Sequence, residues 1–242
     1  MDSAELIIDL ENVAFGYPGG PPVLSGLNFQ LERGRRMGLM GANGSGKTTL
    51  FHVIMGLLKP TAGRVALFGR PVRTEKEFSA LRPRIGLLFQ DADDQLFSPT
   101  VLEDVAFGPL NLGKSREEAV EIAHKTLAAL DLQDFAERLS YKLSGGEKRL
   151  VSLATVLSMA PEALLLDEPT TGLDDRTKSR LREILPNLGL AYVIISHELD
   201  FLHDTTESLA IIRQGTIRCD ENGRIHQHFH YHPHGGTPHK HR

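Results

Sequence analysis

The chain has 242 residues, 40% of them hydrophobic, which suits one large α/β domain, or one with a helical insertion, with a core of its own. Its formal net charge of −4 is not the basic footprint of a general nucleic-acid binder, and no nucleic-acid partner is expected. A single cysteine, Cys219, excludes a disulfide framework and fits a reducing cytosol.

The opening residues, Met1 to Glu5, are acidic where a secretory leader is basic, and no export signal is expected. No apolar run nears the roughly 20 residues of a spanning helix, so a membrane role is expected only through a partner. Leu6 to Val13 and Ala14 to Tyr17 alternate in strand fashion, a Pro-Gly-Gly-Pro-Pro turn follows, and Val23 to Leu31 alternates again. This predicts an antiparallel subsheet. Met37 to Met40 reads as a short buried strand running into Gly41, and a helix is predicted from the following motif to about Leu58, stopped by Pro60. Ile85 to Phe89 reads as another strand. From Gln90 to about Leu143 the periodicity is helical, clearest over Glu117 to Leu130. Ser144 opens a second strong helix, Ala163 to Leu166 and Leu190 to Ile195 are compact apolar strands, and Leu209 to Cys219 is a hairpin turning at Gln214-Gly215. Strands separated by helices predict an α/β fold with a mainly parallel sheet, an N-terminal antiparallel subdomain and a helical subdomain over about residues 91–160. The folded domain is expected over 1–222. Residues 223–242 turn abruptly to histidine, and order is expected to end there.

Gly41, Ala42, Asn43, Gly44, Ser45, Gly46, Lys47 and Thr48 fit G-x-x-x-x-G-K-[ST], the P-loop pattern. Glycines let successive backbone N–H groups turn onto phosphates, and the helix that follows presents its positive end. Lys47 supplies a charge for the β- and γ-phosphates, Thr48 a hydroxyl for Mg²⁺, and Thr49 is counted with the nucleotide-binding residues. A glycine-rich turn that binds nothing is the bland alternative, and its position between a strand and a helix counts against it. Leu164-Leu165-Leu166-Asp167-Glu168 ends a buried strand in two acids. Asp167 is placed to hold Mg²⁺, directly or through water, and Glu168 to polarise a water for attack on the γ-phosphate.

Leu143-Ser144-Gly145-Gly146-Glu147 separates the P-loop families. Ser144 with Glu147 three residues on is a capping box, common in itself. Between a P-loop and a strand ending in Asp-Glu, however, the segment resembles the LSGGQ signature of the ATP-binding cassette (ABC) ATPases, with Glu147 in place of the usual glutamine. The resemblance covers about residues 5 to 222. It implies that Tyr17 stacks on adenine, that Gln90 links Mg²⁺ and water to the membrane partner, and that Thr171-Gly172-Leu173-Asp174 touches the opposite protomer. His197 is implied as the switch histidine on the γ-phosphate. The implied mechanism is an ATP-dependent dimer, of one chain or of two similar ones, with Ser144, Gly145, Gly146 and Glu147 of one subunit closing on ATP held by the other. The cofactors implied are ATP and Mg²⁺, the latter held by Thr48, Gln90 and Asp167.

Phe89 to Thr100, followed by Val101-Leu102-Glu103-Asp104-Val105-Ala106-Phe107-Gly108-Pro109, is similar to the ATPases of energy-coupling-factor importers, particularly the cobalt and nickel branch. This implies a transmembrane coupling protein and a substrate-binding membrane subunit as partners, and a place on the cytoplasmic face of the cell membrane. Asp91, Asp93, Asp94 and Gln95 are expected to face basic groups on a partner helix, with Leu96 and Phe97 as apolar anchors. Many vitamin-importing relatives have a further C-terminal domain, which is not expected here. In the tail, His226, His228, His230, His232 and His234 alternate with other residues. In an extended chain alternate side chains share a face, about 6.6–6.8 Å apart, and imidazole suits Ni²⁺ and Co²⁺. A metal store or sensor is expected, with a solvated tail as the alternative. Vitamin uptake is the alternative cargo. A non-transport ABC ATPase lacks support, since neither a coiled-coil insertion nor a second cassette is present, and the LSGG segment and His197 disfavour a P-loop kinase or GTPase.

Overall fold

Two sheets of different construction organise the chain in the computed structural model, which describes residues 5–219. The first is antiparallel, with strands β1 (Leu6–Gly16), β2 (Pro22–Glu32), β4 (Ala62–Leu67) and β5 (Arg70–Val72) in the order β2-β1-β4-β5. The second contains β3 (Arg36–Met40), β6 (Ile85–Leu88), β7 (Ala163–Asp167), β8 (Ala191–Ile195), β9 (Ser208–Arg213) and β10 (Thr216–Cys219), ordered β10-β9-β3-β8-β7-β6. All its pairings are parallel except β9 with β10. Strands β6, β7 and β8 are buried on both faces along their whole length, which is why they read as continuous apolar runs rather than alternating ones.

Seven α-helices complete the fold among the described residues: α1 (Lys47–Ile54), α2 (Glu75–Leu81), α3 (Val101–Asn111), α4 (Arg116–Ala129), α5 (Gly145–Leu157), α6 (Asp175–Asn187) and α7 (Leu199–Thr205). None is long and apolar enough to cross a membrane. Capping boxes start four of them, with Thr74, Thr100, Ser115 and Ser144 each bonded reciprocally to a glutamate three residues on. One core lies between the antiparallel sheet, α1 and one face of the parallel sheet. The other packs α3 to α7 against the opposite face. Helix α5 comes close enough to β6 that a side chain at Gly86 would run into Val156, so a glycine is needed at that contact.

Two expectations need correction, and one unassigned stretch is filled. Helix α1 ends at Ile54, not near Leu58, because Gly56 takes a left-handed φ of 69° and the amides of Leu57 and Leu58 close back on His52 O. The stretch between Pro60 and Ile85, unassigned from sequence, forms β4, β5 and α2. The helical stretch from Gln90 breaks into a 3₁₀ turn at Ala92–Asp94, then α3 and α4. The antiparallel sheet is tied to the base of the parallel one by charge: Arg33 pairs with Glu5 at 2.8 Å and Glu162 at 2.7 Å, and Arg84, lying over the Phe68 ring, also pairs with Glu162.

Candidate nucleotide site

The site begins where β3 leaves the parallel sheet and turns into α1. Gly46, at the N-cap of α1, has φ 103°, and a Cβ there would press on Val23 and Leu24, so the loop closes only with glycine. The Lys47 side chain arches back so that Nζ donates to the carbonyls of Gly41 at 2.8 Å and Ala42 at 3.1 Å. An ammonium is thereby held in the bowl of the loop beside the N-terminus of α1. Ser45 Oγ is buried without a hydrogen-bond partner, an arrangement that suits an oxyanion ligand.

Strand β7 lies next but one to β3 and delivers two acids to the same place. Thr48 Oγ1 donates to Asp167 Oδ2 at 2.7 Å. Burial raises the Asp167 pKa, and the Thr48 hydrogen bond opposes that shift. Glu168 follows at φ 45°, a left-handed conformation in a non-glycine residue. Burial raises its proton affinity too, with His197 as the main opposing influence. The carboxylate Oε1 lies 3.2 Å from His197 Nε2, and Glu168 N donates to Ile195 O at 3.0 Å, so β8 fixes the backbone of one and ends just before the other. A threonine hydroxyl and a carboxylate are hard oxygen donors, the set that Mg²⁺ takes, and the amide oxygen of Gln90 is chemically of the same kind.

Gln90 and Asp91 lie past the end of β6 and line a cavity of about 840 Å³ with Thr48, His52, Asp167 and Gly145. Tyr17 is 48% exposed, stacked edge-on against Phe15 with its hydroxyl 3.3 Å from Thr49 Oγ1. The structure thus brings Tyr17, the loop 41–49, Gln90, Asp167, Glu168 and His197 around one locus. Of the signature segment, only Leu143 and Gly145 line that cavity. Ser144, Gly145, Gly146 and Glu147 open α5, with Ser144 and Glu147 bonded to each other and Glu147 to Arg138. No hydrogen bond joins them to residues 41–49 among the described residues. Backbone N–H of Ser144 holds Glu147 below the usual carboxylate range. Asp174 caps α6 by accepting from Thr177 N at 2.8 Å.

The acidic turn after Gln90 is arranged differently from expectation. Gln95 points inward, its Nε2 donating to Ser152 O at 2.9 Å and Thr155 Oγ1 at 2.8 Å while its Oε1 accepts from Phe89 N. Asp93 pairs with Lys148 of α5 at 2.5 Å, and Asp91 accepts from Asp93 N. Asp94 is exposed, and Phe97 is 66% exposed and stacked edge-on against Phe107 at 4.7 Å. Two site residues escaped the sequence reading. Arg149 sits buried beneath Gln90, where an arginine on a helix ordinarily signals a solvated face. Asp104, equally buried, accepts from Phe97 N, Ser98 N and Ser140 Oγ. Residues 226–234, the histidine run, lie outside the described residues.

Comparison with known proteins agrees with this geometry. Residues 24–171 match the family described as ABC transporter. A putative ABC transporter ATP-binding protein of Nitratidesulfovibrio vulgaris is 50% identical over 236 residues, covering 97% of this chain and 86% of that one. The energy-coupling factor transporter ATP-binding protein EcfA of Methanothermobacter thermautotrophicus is 42% identical over 215 residues, 87% of this chain and 69% of its own. Among solved structures, cbiO1 of Clostridium perfringens, part of the ABC transporter complex cbiONQ, superposes with a TM-score of 0.80 at 33% identity. That match covers 88% of this chain and 87% of that one. A dimeric ATP-binding cassette in a post-hydrolysis state with ADP and Pi superposes at 0.78 and 28% identity, over 88% and 97%. With a family match over more than half its length, and with relatives this similar, the chain belongs to the ABC transporter ATP-binding family and is an ATPase of a transporter.

Proposed function

We propose that this chain is the ATP-hydrolysing subunit of an energy-coupling-factor type importer, with cobalt or nickel ions as the cargo. The observation that carries the ATPase part is the convergence of Lys47, Thr48, Asp167, Glu168 and His197 on one locus from three separate segments. Lys47 and the amides of residues 41–48 bind the phosphates of ATP, and Tyr17 takes the adenine. Thr48, Asp167 and Gln90 are the donors that would hold Mg²⁺, which supplies charge neutralisation on the phosphates when bound. Glu168, its proton affinity raised by burial, accepts the proton of the attacking water, and His197 meets the γ-phosphate. Among the described residues, Ser144, Gly145, Gly146 and Glu147 make no hydrogen bond to the loop of their own chain, which fits closure on the ATP of a second subunit. Asp174, at the start of α6, meets that subunit.

The transporter class is supported by the EcfA relatives, at 40–42% identity, and by the likeness to cbiO1. A docking surface for a membrane partner is supported by the exposed pair Phe97 and Phe107, with Leu110 and Leu112 exposed farther along. The histidines at 226, 228, 230, 232 and 234 are chemically suited to the same cargo. The test is uptake of labelled cobalt and nickel by cells expressing this chain with its co-purifying membrane subunits. ATP-dependent accumulation of either ion, lost when Glu168 is replaced by Gln, is the expected result. Accumulation of a vitamin and of neither ion would overturn the cargo assignment and leave the ATPase assignment standing.

A further inference from the structure

Arg149 is 4% exposed, yet no carboxylate lies within ion-pair distance of it among the described residues. A buried guanidinium without an ionic partner is costly, and burial does lower its pKa, with Asp91 and Asp167 the acids whose charge it feels. Its two amino groups are spent on main chain: Nη1 donates to Phe89 O and Nη2 to Gln90 O, each at 2.5 Å, while Nε has no partner. These two carbonyls belong to the last residues before the acidic turn, next to the side chain assigned above to Mg²⁺ and water.

Three neighbours on α5 reinforce the attachment. Lys148 pairs with Asp93, and the carbonyl of Ser152 and hydroxyl of Thr155 accept from Gln95, which also receives Phe89 N. Residues 89–95 therefore ride on α5 rather than hang as a loose connection. Arg149 stands five residues after Ser144, about 7.5 Å along the helix axis. The same helix thus presents its N-terminus toward a second subunit and its side face to Gln90.

We propose that Arg149 is a positioning residue for ATP hydrolysis: by forking onto the carbonyls of Phe89 and Gln90 it sets the Gln90 side chain in register with α5. Engagement of Ser144–Glu147 by ATP at one site is thereby relayed to Gln90 at the other. The inference rests on the reading of Gln90 given under Proposed function. A lysine keeps the charge but cannot make the planar fork, so Arg149→Lys separates geometry from electrostatics.

The test is steady-state ATPase and MgATP affinity of the full chain as Arg149→Lys, Gln90→Ala and the double variant, with melting midpoints measured alongside. Arg149→Lys should lower kcat about tenfold or more while KM and nucleotide affinity stay within about twofold. The double variant should be no slower than Gln90→Ala alone, because both changes remove one function. Arg149→Gln gives the same comparison should the lysine variant fold poorly. A wild-type rate in Arg149→Lys, or losses that multiply in the double variant, would overturn the proposal and leave the reading of Gln90 intact. Gln90→Ala at the wild-type rate would remove that reading and the proposal together.

Discussion

Thr48 and Asp167, 119 residues apart in sequence, share a hydrogen bond of 2.7 Å between hydroxyl and buried carboxylate. The contact joins the first turn of α1 to the end of β7, and it puts both oxygen donors at one point beside Lys47. Burial raises the proton affinity of Asp167, and the Thr48 hydrogen bond works against that shift. Asp167→Asn keeps the shape and removes the charge. It is expected to cut ATPase activity about 10²-fold or more and to shift the Mg²⁺ titration of the residual activity to higher concentration. Rates measured against Mg²⁺ concentration check this, and an unchanged titration would mean that Asp167 is not a metal donor.

A second expectation concerns the tie between the two sheets. Glu162 is held at a pKa of about 2, chiefly by hydrogen bonds from Arg84 and then Arg33, against an ordinary 4.5. A depressed carboxylate stabilises the fold above its unfolded value and loses that contribution as pH falls from 4.5 toward 2. Since Glu162 is only partly buried, Glu162→Gln should cost about 0.5–1 kcal/mol at pH 7, or about 1–4 °C in melting midpoint. The difference between wild type and variant should shrink progressively below pH 4.5. Thermal melts from pH 7 to 2.5 measure it. A constant difference across that range would show that the clamp acts by shape and not by charge.

The exposed pair Phe97 and Phe107 gives a third. Phe97→Ser with Phe107→Ser should weaken co-purification with the membrane partner about tenfold or more, since buried aromatic anchors dominate interface energy. ATP binding by the isolated chain should be unchanged. Asp94→Lys should slow association more than it weakens the complex. Asp94 is the cleaner charge reversal, because Asp93→Lys would also set two lysines against each other at Lys148. Normal assembly of the double phenylalanine variant would place the docking surface elsewhere.

How much of this was legible in the sequence follows from what each element buries. Strands β3, β7 and β8 and the β9–β10 hairpin stood out as apolar runs between turn signals, and α4 was predicted to within a residue at each end. Helix α6 did not, because only Leu181 and Leu185 are buried in a segment carrying four basic residues and Pro186. Strand β4 is exposed over its first half, and β5 has three residues, too few for a period. At the site, contiguous motifs such as Gly41–Thr48 and Asp167-Glu168 could be read directly, since spacing alone fixes their chemistry. Arg149 and Gln95 could not. Their roles depend on which way a helix and a turn face each other, and a charged or polar residue in sequence looks the same whether solvated or buried.

Glu168 is proposed as the base for hydrolysis in a site completed by a second subunit. It is buried, lies 3.2 Å from His197 and has a left-handed backbone, a geometry that supports this proposal. The decisive measurement takes Glu168→Gln with MgATP and follows hydrolysis, bound nucleotide and mass in solution together. The expected result is ATP bound as tightly as in wild type, turnover reduced about 10²-fold or more, and a dimer that accumulates because ATP is not consumed. Turnover at the wild-type rate, or bound ATP on a chain that stays monomeric, would contradict it.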